Sequence, residues 1–268
     1  DVAPSRGLGD VYKRQVQDYS SPDSDDSTWR ILSLPHDWSI EGDFSLDNPS
    51  TPGGGALPGG IGWYRKTFTL PETDRDKVIY VDFDGVYRNS EVWINGHSLG
   101  FRPNGYVSFR YDLTPYLRYG SQPNVIAVKA DNSEQPNSRW YSGSGIYRNV
   151  WLVKVNPVHV DNWGTFVHDM KISSEEATFA LEVRIRNSSE ADREAEVSTS
   201  IYDDRNKVVT ASVTTLLRVP YTPCYDTRMR EASVDHQFSI PNPKLWSPDS
   251  PSLYTAVTEV KVAGKVVD

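Results

Sequence analysis

The stretch SEVWINGHSLGF, Ser90–Phe101, decides the fold class. Val92 and Ile94 alternate with Glu91 and Trp93, the period of a half-buried strand. Asn95-Gly96 follows, the dipeptide that two-residue hairpins favour because both central residues need positive φ. The segment therefore reads as two antiparallel strands and a tight turn. The same period recurs on both sides of it. KVIYVDFDGV (77–86) puts Ile79, Val81 and Phe83 on one face. GWYRKTFTLPE (62–72) alternates Trp63, Arg65 and Thr67 against Tyr64, Lys66 and Phe68, and PNVIAVKADN (123–132) is a further strand. In GIYRNVWLVKV (145–155), Tyr147, Val150 and Leu152 read as packing positions. DLTPYLRYG (112–120) allows one short helical turn at most, since Pro115 comes early and Gly120 ends it. No long amphipathic helix is visible.

Past VKVNPVHVDNWG (153–164) the chain becomes more polar, and Asn156-Pro157 interrupts the strand pattern. Strands then resume. Phe179, Leu181, Val183 and Ile185 share a face in ATFALEVRIRNSS, and Asp203–Asn206 is a turn. Short strands with turn signals about every ten residues are the pattern of an antiparallel sandwich. The reading is all-β, with one domain at 16–155 and a second at 156–268. The strand beginning near Lys265 stops at Asp268, so the second sandwich is expected to be incomplete. Residues 1–15, DVAPSRGLGDVYKRQ, lack periodicity and resemble a sequencing-library scar, and they are set aside from the fold.

Composition narrows the chemistry. In 268 residues the formal charge is -8, which disfavours phosphate backbones and hence nucleic acid. A single cysteine, Cys224, excludes an intrachain disulfide and a thiolate zinc cluster. No apolar run is long enough to span a bilayer. The five histidines are scattered without ligand spacing, so no metal is assigned, and His168-Asp169 reads as an exposed strand-end pair. No cofactor motif is present. The glycine-rich loop PGGGALPGGIGWY (52–64) has a strand behind it where a phosphate loop needs a helix N-terminus; it reads as a flexible connection. SGSG (142–145) lacks the spacing of a nucleophile elbow, and the Asn187-Ser188-Ser189 sequon carries no weight. Most of the eight tryptophans are expected to pack. Trp140 is the exception. It follows a polar loop and Arg139 and precedes Tyr141 and a glycine turn, a setting suited to stacking on a sugar face.

Several stretches together resemble glycoside hydrolase family 2, with its β-galactosidase-like members nearest. They are LPHDWSIEGDF (34–44), GGIGWYRKTFTLP (59–71), DFDGVYRNSEVWINGHSLG (82–100), RWYSGSGIYRNVWL (139–152) and NPKLWSPDSPSLYT (242–255). The resemblance implies a jelly-roll (galactose-binding-like) sandwich, an immunoglobulin-like sandwich, and then a catalytic (β/α)₈ barrel after residue 268. It places both catalytic glutamates on that barrel, the acid/base in an Asn-Glu pair. No Asn-Glu dipeptide occurs here, so none of the 36 acidic residues is assigned a catalytic role. The implied rim contacts to a terminal β-glycoside are Arg139, Trp140 and Tyr141. Some members carry aspartate at the position of Arg139; arginine cannot hold a cation, so their metal site is not carried over. Gly59 stands where some members have a sugar-touching asparagine, and His36 and Asp37 are given a packing role.

The chain is thus expected to be the N-terminal fragment of a retaining glycosidase, inactive alone, completed in cis by the barrel. A periplasmic or secreted bacterial parent is expected, with homo-oligomerisation open. Two other readings stand: a free-standing carbohydrate-binding module, and an adhesin of repeated sandwiches.

Overall fold

The structure, a computed structural model, describes residues 18–135, 142–223 and 227–268. Residues 1–15, the loop residues Arg139, Trp140 and Tyr141, and Cys224 lie outside these. The chain divides into two compact units between Lys154 and Val155. Both are built from antiparallel strands, and the helical content of the described residues is short 3₁₀ turns.

In the first unit one sheet has the order β1-β6-β3-β4, from β1 (Gly60–Phe68), β6 (Asn124–Asn132), β3 (Ser90–Ile94) and β4 (His97–Arg102). The facing sheet is β5-β2-β7, from β5 (Phe109–Asp112), β2 (Val78–Phe83) and β7 (Val150–Val155). Val81, Phe83, Val86, Val92, Ile94, Leu113, Val128 and Ile146 fill the space between them. This is the jelly-roll sandwich. The hairpin falls where its dipeptide put it. Asn95 and Gly96 have φ 50° and 83°, and the Asn95 amide ties the turn to Asn124 Oδ1 (2.9 Å) and Tyr116 O (2.8 Å).

Two expectations change, and β1 buries a face that the alternation left unassigned. Trp63 and Arg65 sit on the outer face of β1 yet are buried, because the segment before β1 folds over them. Tyr19 meets Trp63 edge-on, while Arg65 donates to Asp26 (2.9 Å) and to the carbonyls of Ser21 and Pro22. The glycine-rich loop is tied down rather than slack: Asn48 donates to Asp43 O and Ala56 O, and Ser50 to Leu57 O. Leu152 does not pack inward. It is 43% exposed on β7, an outer strand of its sheet.

The second unit is an immunoglobulin-like sandwich. One sheet, β12-β9-β8, joins β12 (Glu231–Pro241), β9 (Glu176–Asn187) and β8 (Val158–Ile172). The other, β11-β10-β13-β14, joins β11 (Val213–Val219), β10 (Arg193–Tyr202), β13 (Thr255–Val262) and β14 (Lys265–Val266). Leu181, Val183 and Ile185 face inward as their spacing requires, meeting Val197, Ile201, Val219 and Val260. The outer strand β8 carries two register shifts, at Val160/Thr165 and His168/Lys171. Such bulges bend an edge and make it a poorer template for further strands.

Candidate functional site

The candidate site is the loop between β6 and β7 in the first sandwich. Its predicted contact residues, Arg139, Trp140 and Tyr141, fall in 136–141 and outside the described residues. Both flanks are described, and both are locked by buried polar groups.

On the leading flank Asn132 is buried at the end of β6. Its amide nitrogen donates to Ser144 Oγ (2.8 Å) and Gly143 O (3.2 Å). Its side-chain oxygen accepts from Gln135 Nε2 (2.9 Å), which also fixes the first loop residues. On the trailing flank Ser144 is fully buried. Its backbone N–H donates to Asp37 Oδ1 (2.8 Å), and the same oxygen accepts from Ser39 N (2.9 Å). Ser39 Oγ lies 2.6 Å from both Pro58 O and Ser144 Oγ. One hydroxyl carries one proton, so Ser39 and Ser144 together satisfy the pair. Backbone bonds complete the clamp: Trp38 N to Ser144 O (3.0 Å), His36 N to Ile146 O (2.8 Å), and a reciprocal pair between Tyr87 and Gly145, both 2.9 Å.

Two glycines are required by this packing. A Cβ on Gly143 would sit inside the Asp37 carboxylate. Gly145 has φ 121°, and a Cβ there would collide with the Tyr64 hydroxyl. That hydroxyl accepts from Ile146 N (3.3 Å) and lies 2.9 Å from His36 Nδ1. Burial holds the Tyr64 phenol well above its usual pKa, so it stays neutral. His36 Nε2 is 2.8 Å from Arg30 Nη2. Nε2 also lies 3.2 Å from Glu41 Oε1, so both ring nitrogens of His36 are engaged. Arg30 also pairs with Glu41, and its hydrogen bond keeps that carboxyl below the ordinary carboxylate value.

His36 and Asp37 are thus packing residues, as their sequence context suggested. Asn132, Ser39, Tyr64 and Ser144 are the anchors that sequence reasoning missed. Ser144 lay within the SGSG stretch. Its burial and two hydroxyl partners leave it engaged in holding the loop. His168 bonds Asp169 (2.9 Å) and Asp235 (3.0 Å) on the outer strand of the other sandwich. Among the described residues no group of three or more His, Cys, Asp or Glu is placed to hold a metal ion. No helix among them is long and apolar enough to cross a membrane.

The chain is thus an all-β protein of two successive sandwiches, a jelly roll with a clamped loop and then an immunoglobulin-like sandwich. Comparison with known proteins specifies the family. Residues 43–156 match the sugar binding domain of glycosyl hydrolases family 2, and residues 158–268 match glycosyl hydrolases family 2 itself; the chain belongs to this family. It is 49% identical over 248 residues to the β-galactosidase BoGH2A of Bacteroides ovatus, covering 90% of this chain and 27% of that protein. A putative β-glucuronidase of Formosa agariphila is 39% identical, with 94% and 22% covered. The crystal structure of a family 2 member from Bacteroides cellulosilyticus superposes with a TM-score of 0.86 at 34% identity, covering 95% of this chain and 32% of that one. The chain spans about a quarter of the length of the curated relatives it matches.

Proposed function

We propose that this chain is the substrate-facing, non-catalytic part of a retaining β-glycosidase that removes a terminal β-galactoside or a related sugar. Retaining hydrolysis needs two carboxyl groups about 5 Å apart, one as acid/base and one as nucleophile. In this reading both come from polypeptide beyond these two sandwiches. The jelly roll contributes the loop bearing Arg139, Trp140 and Tyr141. The guanidinium donates to sugar hydroxyls, and the rings cover the apolar face of the pyranose. The immunoglobulin-like sandwich orients that rim.

The observation that carries this reading is the clamp on the loop's two flanks. A contact loop adds to catalysis only if it is held close to its working geometry, and buried hydrogen bonds are what hold it. The names of the relatives, β-galactosidase and β-glucuronidase, support the sugar class.

The purified chain is expected to hydrolyse no nitrophenyl β-galactoside or β-glucuronide. The longer polypeptide containing it should do so with retention, and Arg139→Ala in that polypeptide should raise KM. Turnover by the uncontaminated chain alone would refute the assignment of the carboxylates elsewhere. A longer polypeptide made only of further sandwiches would refute the glycosidase reading.

A further inference from the structure

The chain contains two Asn-Gly dipeptides, Asn95-Gly96 and Asn104-Gly105, one on either side of β4. The dipeptide carries its own chemistry. Glycine has no side chain to shield its backbone nitrogen, which can therefore add to the amide carbon of the asparagine before it. In sequence the two are alike, and the fold separates them.

Asn95 is buried, and its amide is fully engaged. Nδ2 donates to Tyr116 O (2.8 Å) and Asn124 Oδ1 (2.9 Å), and Oδ1 accepts from Val125 N (2.9 Å). These partners draw the amide away from Gly96. Turning it onto the Gly96 nitrogen breaks all three bonds and leaves buried groups unsatisfied, which is costly. Asn104, in the connection between β4 and β5, is exposed. Its Oδ1 accepts from Tyr106 N (2.8 Å), just past Gly105, so the side chain folds back over the Gly105 peptide. The same N–H faces the oxygen on which negative charge gathers as the ring closes.

We propose that Asn104 is a site of self-modification, converting to aspartate and isoaspartate in the folded chain while Asn95 stays intact, and that isoaspartate there loosens the trailing flank of the clamped loop. The Gly105 nitrogen gives its proton to solvent base and bonds to Asn104 Cγ. The Cγ–Nδ2 bond breaks, and Nδ2 leaves as ammonia with a proton from water. Water then opens the cyclic imide. Cleavage of the new bond to Cγ gives aspartate. Cleavage at the backbone carbonyl carbon gives isoaspartate, whose main chain runs through Cγ and is longer by one methylene. The net change is one water consumed and one ammonia released.

The added methylene has no room. A Cβ on Gly105 would already sit inside the Tyr87 ring. Gly105 O accepts from the Tyr147 hydroxyl (2.8 Å), and Tyr106 meets Tyr87 edge-on with centroids 5.4 Å apart. Tyr87 is the residue whose backbone exchanges two hydrogen bonds with Gly145. Displacing Gly105 therefore disturbs Tyr87 and, through it, the clamp. The inference stands on this connection alone and does not depend on the glycosidase reading.

The test is to age the purified chain in mildly alkaline buffer and follow the Asn95 and Asn104 peptides by mass spectrometry, scoring isoaspartate with an isoaspartate-specific methyltransferase. In the folded chain Asn104 should convert at least about tenfold faster than Asn95, the equivalent of about 1.4 kcal/mol of barrier. In concentrated urea, where no fold protects Asn95, the two rates should converge. The isoaspartyl fraction should exchange the Tyr87 and Gly145 amides about tenfold faster than the fresh chain. Asn104→Asp, which adds the charge without the methylene, should exchange like the fresh chain, and Asn104→Gln should keep that behaviour on ageing. The proposal is overturned if Asn95 converts as fast as Asn104 in the folded chain, or if the gap between them persists in urea. It is equally overturned if the isoaspartyl fraction exchanges like the fresh chain, or if Asn104→Asp exchanges like the isoaspartyl fraction.

Discussion

In the first sandwich five of the nine buried polar side chains among the described residues, Ser39, Asn48, Ser50, Asn95 and Ser144, sit in loops and turns, while Arg65, Ser90, Asn124 and Asn132 sit on strands. In the second, His159, Asn187, Thr199 and His236 sit on strands. The difference follows from what each backbone must satisfy. A strand finds partners for its N–H and C=O groups in the sheet, whereas a loop folded inward must find them in side chains. The first sandwich folds long connections onto itself and supplies Asn, Ser and Asp to hold them. In the second, Asn187 holds a turn through Ala191 O (2.8 Å), but Thr199 links strands, its Oγ1 meeting Thr258 Oγ1 (2.8 Å) and His236 Nδ1 (3.0 Å). Clamped loops suit a contact surface, and a regular sandwich suits a support.

The comparison can be broken first at the cores, where the two units should behave alike. Phe83→Ala in the first sandwich removes a fully buried ring stacked on Phe109 (centroids 4.9 Å apart). It should cost about 3–5 kcal/mol. Ile185→Ala in the second should cost about 2–5 kcal/mol. Urea unfolding of each variant checks both. A negligible loss at either position would contradict the packing described.

The polar groups should separate the units. Ser144→Ala strips partners from Asn132 and Ser39 and should cost about 1–3 kcal/mol. Its signature is faster hydrogen exchange at Ser142–Ile146 while the second sandwich keeps its protection. Thr199→Val should destabilise its sandwich by about 1 kcal/mol without a local loop effect. If both variants gave the same diffuse exchange pattern, the distinction between clamped loops and linked strands would fail.

The smallest effect is on pH dependence. Burial depresses the pKa of His159 and of His236 below the ordinary 6.5. Below that value the unfolded chain takes up protons that the folded second sandwich refuses, so its stability should fall as pH drops through 6.5 and level off above it. His168 opposes this: its hydrogen bonds to Asp235, then Asp169, raise its pKa, so its contribution is present at low pH and lost as pH rises. That histidine lies at the surface, where water and salt screen its contribution. Replacing both buried histidines with glutamine should flatten the melting temperature across about pH 5.5–8, and an unchanged slope would show that other groups set it.

Much of the fold was legible because strands announce themselves locally. Val92 and Ile94, or Leu181, Val183 and Ile185, alternate at period two whatever lies beyond them, and Asn95-Gly96 states its own turn. Burial on the second face of a strand was not legible. The alternation of β1 did not say that Trp63 and Arg65 are covered, because the segment covering them lies some forty residues earlier in the chain. The anchors of the loop were hidden for the same reason: Ser39 and Ser144 are separated by 105 residues and meet only in the folded state.

The sequence by itself determined the strand pattern, the hairpin, the all-β class and the resemblance to family 2, since each rests on neighbours in the chain or on a recurring motif. Only the tertiary structure decided which polar side chains are clamps and which of two Asn-Gly dipeptides is held fast. Asp37 beside Gly143, and Asn95 beside Tyr116 and Asn124, are distances between strands and loops that no local spacing encodes. They are set by register and by how far each connection folds back on the sheets.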